Sequence, residues 1–165
     1  MVCVSILGIT ASLGSAGFGA LQASAQKTDA VNTVQTTLQF ARSEAVKRNQ
    51  TISVCASTDA ATCNADWTDF NQLIVVDATG VLLREAVTLP ASAKIVQAPF
   101  SGPLHYRPAG NLDGLDGAQL SAGAAQLTLS ISDRQTGCVE LLPSGHTRVV
   151  QPGDPRPCGL SGVEA

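Results

Sequence analysis

Cysteines are the most informative chemistry-bearing residues of this chain. There are five of them: Cys3, Cys55, Cys63, Cys138 and Cys158. Cys3 sits in an apolar leader, and the other four form an even set in the rest of the chain. Four cysteines allow three pairings. The favoured one joins Cys55 to Cys63 and Cys138 to Cys158, each bridge closing a polar loop. Chain entropy alone makes these bridges worth roughly 2.6 and 3.3 kcal/mol. None of the spacings is C-x-x-C and no histidine lies near the first pair, so zinc is the weaker reading. Disulfides imply an oxidising compartment, the bacterial periplasm or an extracellular space. Four buried thiols in a cytosolic protein are the alternative.

Little else is arranged for catalysis. His105 and His146 are the only histidines. Neither sits in a G-x-S-x-G or H-E-x-x-H setting, and both are expected at the surface. Asp113 and Asp116 fall in Asn111-Leu112-Asp113-Gly114-Leu115-Asp116-Gly117, which is turn chemistry. The stretch lacks the oxygen-rich spacing of a calcium loop. Arg134, Arg148 and Arg156 could form a small basic patch for DNA, although Asp133, Glu140 and Asp154 dilute it. A net charge of −3 and 4% aromatic residues give no whole-chain case for nucleic acid, which favours basic faces and stacking platforms. No catalytic residue, metal ligand or cofactor is expected, and the chain reads as a non-enzyme.

The elements behind these residues divide at about residue 26. Residues 1–26 carry no charged side chain. As a helix they would span about 39 Å, enough for a bilayer core. A cleaved signal peptide is the competing reading. Ala23-Ser24-Ala25 resembles a small-residue cleavage site, yet no basic n-region precedes the apolar stretch. Residues 27–165 are expected to form one globular domain, with 27–49 continuing the helix and 50–165 rich in strands. Val31, Val34, Leu38, Ala41 and Ala45 recur at helical spacing and define one apolar stripe. Lys47 and Arg48 suit a helix C-terminus, and Asn49 suits its cap region.

After Asn49 the period changes to two. Residues 51–55, 73–77, 81–84, 94–96, 104–107, 126–132, 138–142 and 147–150 read as strands, and Ala78-Thr79-Gly80 reads as a hairpin turn. Residues 57–69 are polar and read as a loop. Pro152 to Ala165 read as an irregular tail tied down by Cys158. Strands following one helix imply an α+β domain with an antiparallel sheet, the helix stripe packed on it.

Three features carry a resemblance. Leu38-Gln39-Phe40-Ala41-Arg42-Ser43-Glu44-Ala45-Val46-Lys47-Arg48-Asn49 matches a helix end that commonly reads L-x-x-A-R-S-E-A-I-x-R-N. Val54-Cys55 follows, with Cys63 and Trp67 downstream. Pro143-Ser144-Gly145-His146-Thr147-Arg148 occupies a last hairpin. On these residues the chain resembles the GspH/FimT group of minor pilins and pseudopilins. The resemblance implies a pilin-like fold and a structural subunit at or near the tip of a type II secretion pseudopilus or type IV pilus. It also implies a single-pass inner-membrane anchor with a periplasmic head, partners that are other pilins joined through the N-terminal helix, a full-length precursor cut by prepilin peptidase, and methylation.

There are two departures. Mature members begin F-T-L-I-E-L-M-V, and Met1-Val2 matches the last two of these. The processing site and assembly glutamate are therefore expected upstream of Met1. Some FimT-like members bind DNA through G-R-x-R, whereas Gly145-His146-Thr147-Arg148 keeps only the final arginine, and histidine is largely neutral at pH 7.

Overall fold

The computed structural model describes residues 2–150 apart from 65, 69, 71, 92, 98–100, 114–124 and 132–134. Asp116, Arg134, Arg156, Cys158 and the tail from Pro152 therefore lie outside the described residues. Helix α1 runs unbroken over Val2–Arg48, about 70 Å at 1.5 Å per residue. Its stripe behaves as the spacing requires: Val31, Val34, Leu38, Ala41 and Ala45 are all buried. Thr37 is buried among them, and its hydroxyl is satisfied by the carbonyl of Thr33. Between residues 19 and 29 no described side chain is buried, and Leu21 is 71% exposed.

Among the described residues nine strands follow: β1 Ile52–Ser57, β2 Gln72–Val76, β3 Leu82–Thr88, β4 Ala93–Gln97, β5 Leu104–Tyr106, β6 Leu112–Asp113, β7 Ala125–Ile131, β8 Gln135–Leu141 and β9 Thr147–Val149. They form two antiparallel sheets rather than the single one expected, in orders β3-β2-β1-β5-β6 and β4-β7-β8-β9. The division falls between β3 and β4. Pro90 has no N–H to continue a ladder, and its carbonyl accepts from Ala93 in a turn. The chain thereby leaves the edge of the first sheet and begins the edge of the second.

Both sheets and the helix share one core. Alternate residues point inward: Ile52, Val54 and Ala56 from β1, Leu73 and Val75 from β2, Leu127 and Leu129 from β7, Val139 and Leu141 from β8. Strand geometry sends alternate residues to this core, although β1 is buried at every position. Cys55, Ile74 and Val76 lie on the opposite face of the first sheet and form a small second cluster. Trp67 is buried in the main core although it lies outside any helix or strand. Its indole N–H donates to the carbonyl of Gly102 at 2.7 Å. The turn expected at Asn111–Gly117 instead begins with a strand, because Leu112 pairs with Tyr106 and enters the core.

Candidate functional site

No constellation for acid–base or nucleophilic chemistry forms among the described residues, and no group of three His, Cys, Asp or Glu there could hold a metal ion. The residues that do converge are those of the helix-end motif and the two turns beside it.

The helix stops through the backbone. Asn49 adopts φ 53°, the left-handed conformation that asparagine tolerates better than most residues. The Gln50 N–H donates to the Ala45 carbonyl and the Asn49 N–H to the Val46 carbonyl. This is the paired bonding of a Schellman motif, and it satisfies carbonyls that the helix end would otherwise leave open. Glu44 reaches one turn ahead to Arg48 and also contacts Lys47. With the acid on the N-terminal side, the i,i+4 pair has the orientation that suits the helix dipole. The Arg48 hydrogen bond holds the Glu44 carboxyl below its ordinary pKa, with the Lys47 and Arg48 charges adding to it. Ser43 donates to the Phe40 carbonyl, and the Arg84 guanidinium lies 5.5 Å from the Phe40 ring centre.

Arg42 leaves this local scheme and reaches across the fold. Its Nε–H donates to the Gly110 carbonyl at 2.9 Å, and its Nη1 lies 3.0 Å from His146 Nδ1. Arginine has only donors, so Nδ1 must be the acceptor and the His146 ring proton sits on Nε2. Gly110 ends the β5–β6 turn, in which its N–H donates to Arg107. Gly145 ends the β8–β9 turn, in which its N–H donates to Leu142. The turns touch directly, because the Leu112 N–H donates to the Pro143 carbonyl at 3.0 Å. Arg42 thus ties the helix end to a turn from each sheet. The helix-end motif marked Arg42, but its partners Gly110 and His146 were not legible from the sequence. The only local signals were two Pro-x-Gly turns, Pro108-Ala109-Gly110 and Pro143-Ser144-Gly145.

The other candidate residues are dispersed. Cys55 and Cys63 form the expected disulfide. Cys138 is also disulfide-bonded, with its partner outside the described residues. Within the disulfide loop, Asp59 accepts from Ser57, from the Ala61 and Thr62 N–H groups and from the Thr62 hydroxyl. Those backbone and hydroxyl donors push its pKa far below the carboxylate range. Asp113 takes hydrogen bonds from Arg107. His105 is half-buried and bonded to the Ser53 hydroxyl rather than free at the surface. Arg148 sits opposite Glu140 on the neighbouring strand, and its Nε and Nη2 both approach Glu140 Oε2, at 2.9 and 2.8 Å. Glu140 is 1% exposed, so much of the Arg148 charge answers a buried carboxylate. Of the arginines considered for DNA, Arg134 and Arg156 lie outside the described residues.

One long N-terminal helix packed on antiparallel sheets, with the helix end clamped to the last hairpin, defines a pilin-like protein. The family model described as type II transport protein GspH matches residues 30–145, and the chain belongs to that family. The fold is similar to that of the type IV minor pilin FimU of Pseudomonas aeruginosa, at 18% identity and TM-score 0.55, over 76% of this chain and 88% of that one. It is similar also to the minor pseudopilin EpsH of the Vibrio cholerae type 2 secretion system. There the identity is 13% and the TM-score 0.54, over 78% of this chain and 99% of that one. No curated protein matches.

Proposed function

We propose that this chain is a non-catalytic minor pilin or pseudopilin, placed at or near the tip of a type II secretion pseudopilus or a type IV pilus. Residues 1–26 would lie in the inner membrane before assembly and in the filament core afterwards, with 27–165 as the periplasmic head. The observation that supports this most is the continuity of α1: the helix runs unbroken from Val2 through the uncharged stretch into the head, and its described side chains between residues 19 and 29 are not buried. An uncharged helical run of this length suits an apolar surface, either lipid or the helices of neighbouring subunits. Among the described residues no helix is long and apolar enough to cross a membrane, so the anchor is an inference from the uncharged run at 1–26. By the same reading, partners are other pilins, and prepilin peptidase acts on the precursor.

The test is deletion of the gene in its own host, with surface filaments and secreted proteins both quantified, and carbonate extraction of the protein from isolated membranes. One of the two outputs should fall, and the protein should resist extraction. Wild-type filaments and secretion, with the protein in the soluble fraction, would refute the proposal and favour a secreted soluble protein. Binding of DNA is the lesser alternative. It rests on His146 and Arg148, which are exposed at the last hairpin, and the Arg148–Glu140 pair weighs against it. A gel shift of the protein with and without Arg148→Ala decides it, since phosphate contacts make such binding strongly salt-dependent.

A further inference from the structure

A groove of about 680 Å³ separates the flank of α1 from β8 and β9. Ser24, Lys27 and Thr28 line one wall; Gly137, Thr147 and Arg148 line the other. Gly137 sets how closely the walls approach. A Cβ there would stand 2.5 Å from Val31 Cγ2 and 3.5 Å from Lys27 Cε. The aliphatic stem of Lys27 therefore lies along β8, as long cationic side chains do when the stem packs and the head stays wet. Lys27 is the first charged residue after 26 uncharged ones. Thr147 Oγ1 is buried beside the groove without a hydrogen-bond partner.

We propose that this groove holds the phosphodiester headgroup of an anionic phospholipid while the chain is anchored in a membrane. The inference rests on the membrane reading of residues 1–26. Charge supplies the first argument: Lys27 offers an ammonium, and Ser24 and Asn32 add polar groups along the same wall. Position supplies the second. The groove opens at Ser24, inside the uncharged run, and reaches Gln35, about 17 Å further along the helix. The bilayer's polar layer, roughly 5–8 Å deep on each side, begins where the hydrocarbon span ends. An anchored chain therefore presents Lys27 at headgroup depth. An acidic segment of a neighbouring subunit meets the charge requirement but has no such positional argument.

The full chain is reconstituted into vesicles of phosphatidylcholine, or of phosphatidylcholine and phosphatidylglycerol in equal parts. Acylation of Lys27 is then followed by mass spectrometry against Lys47, whose side chain is 76% exposed. Surface potential alone slows a basic residue near an anionic surface about five-fold, so a Lys27 seated on a headgroup should be slowed well beyond that by phosphatidylglycerol, relative to Lys47. Asn32→Trp fills the groove but leaves the charge of Lys27 and its depth unchanged, so it should bring the slowing down to about five-fold. Equal rates in the two lipids overturn the proposal. Slowing that is no smaller in Asn32→Trp reflects surface potential alone and overturns it too. Protection that rises with protein density whatever the lipid assigns the groove to a protein partner instead. Carbonate-extractable chain removes the anchor reading and this inference together, whereas anchored chain with unprotected Lys27 removes only the lipid site.

Discussion

Gly145→Ala tests whether the two turns beneath Arg42 are held in contact. A Cβ at residue 145 would lie 1.9 Å from the Gly110 carbonyl oxygen and 3.2 Å from Arg42 Nε. Ordinary contact begins near 3.4 Å, so the turns must separate by about 1.5 Å, and the obstacle is backbone rather than a movable side chain. Gly145 also has φ 79°, where a residue with a Cβ costs roughly 1–2 kcal/mol. Forcing extra volume into a tight contact adds roughly 1–3 kcal/mol. Displacing Gly110 further stretches the 2.9 Å bond from Arg42. The expected loss is about 3 kcal/mol, a large share of the roughly 5–15 kcal/mol that holds a domain together.

Gly80→Ala is the control, because Gly80 has φ 83° but nothing within 4 Å of its added Cβ. It should lose only the conformational part, about 1 kcal/mol. Both variants can be unfolded in urea and followed by fluorescence of Trp67, the single tryptophan, which is buried. Equal losses at the two positions would refute the argument, since only Gly145 has a neighbour in the way. In an Arg42→Ala background the gap between the variants should narrow, because the clamp that holds the turns together is gone.

Gly137→Ala should cost about 1–3 kcal/mol by pressing on Val31, and Val31→Ala in the same chain should recover part of that in the same urea assay. Replacing Cys55 and Cys63 together with alanine should lower stability by about 2.6 kcal/mol, the loop-closure contribution of a short bridge. A loss below 1 kcal/mol by calorimetry would argue that the loop is held by Asp59 and Trp67 instead. Asp59 makes a pH prediction. Its folded pKa is depressed, so its contribution is complete above the unfolded value near 3.9. That contribution should drain away as pH falls below it, toward the lower folded value. Asp59→Asn should therefore flatten the acid limb of a melting-temperature-against-pH curve and leave its slope near neutrality unchanged.

Periodicity predicted the helix stripe and eight of the nine described strands to within a few residues, because the side chains that enter the main core recur at helix or strand spacing. The spacing of Val31, Val34, Leu38, Ala41 and Ala45 has no other economical explanation, and all five are buried. Partition of the strands into two sheets was not legible, because alternation says which face is inward but not which strand lies alongside. β6 was hidden because Asn, Asp and Gly surround Leu112, and only its pairing with β5 across the Pro108-Ala109-Gly110 turn makes it a strand. Trp67 was hidden for a similar reason: its indole is satisfied by Gly102, 35 residues away. The Arg42 site is 68 residues from one partner and 104 from the other, distances at which local spacing carries no information.

The helix-end motif is what made the family recognisable, and its side chains are largely occupied within the head. Ala41 and Ala45 are core, Glu44 engages Lys47 and Arg48, Asn49 turns the chain, and Arg42 joins the helix to both sheets. A substitution at Arg42 therefore acts on the head before it acts on any neighbour. Removing it breaks a charge-assisted bond worth roughly 1.5–3 kcal/mol and frees two turns at once. Loss of filament assembly in Arg42→Ala would by itself say nothing about a partner surface. It would bear on partners only if the purified variant kept its urea midpoint. Otherwise the same defect should appear in Gly145→Ala, which leaves Arg42 in place and disturbs the same two turns from the other side.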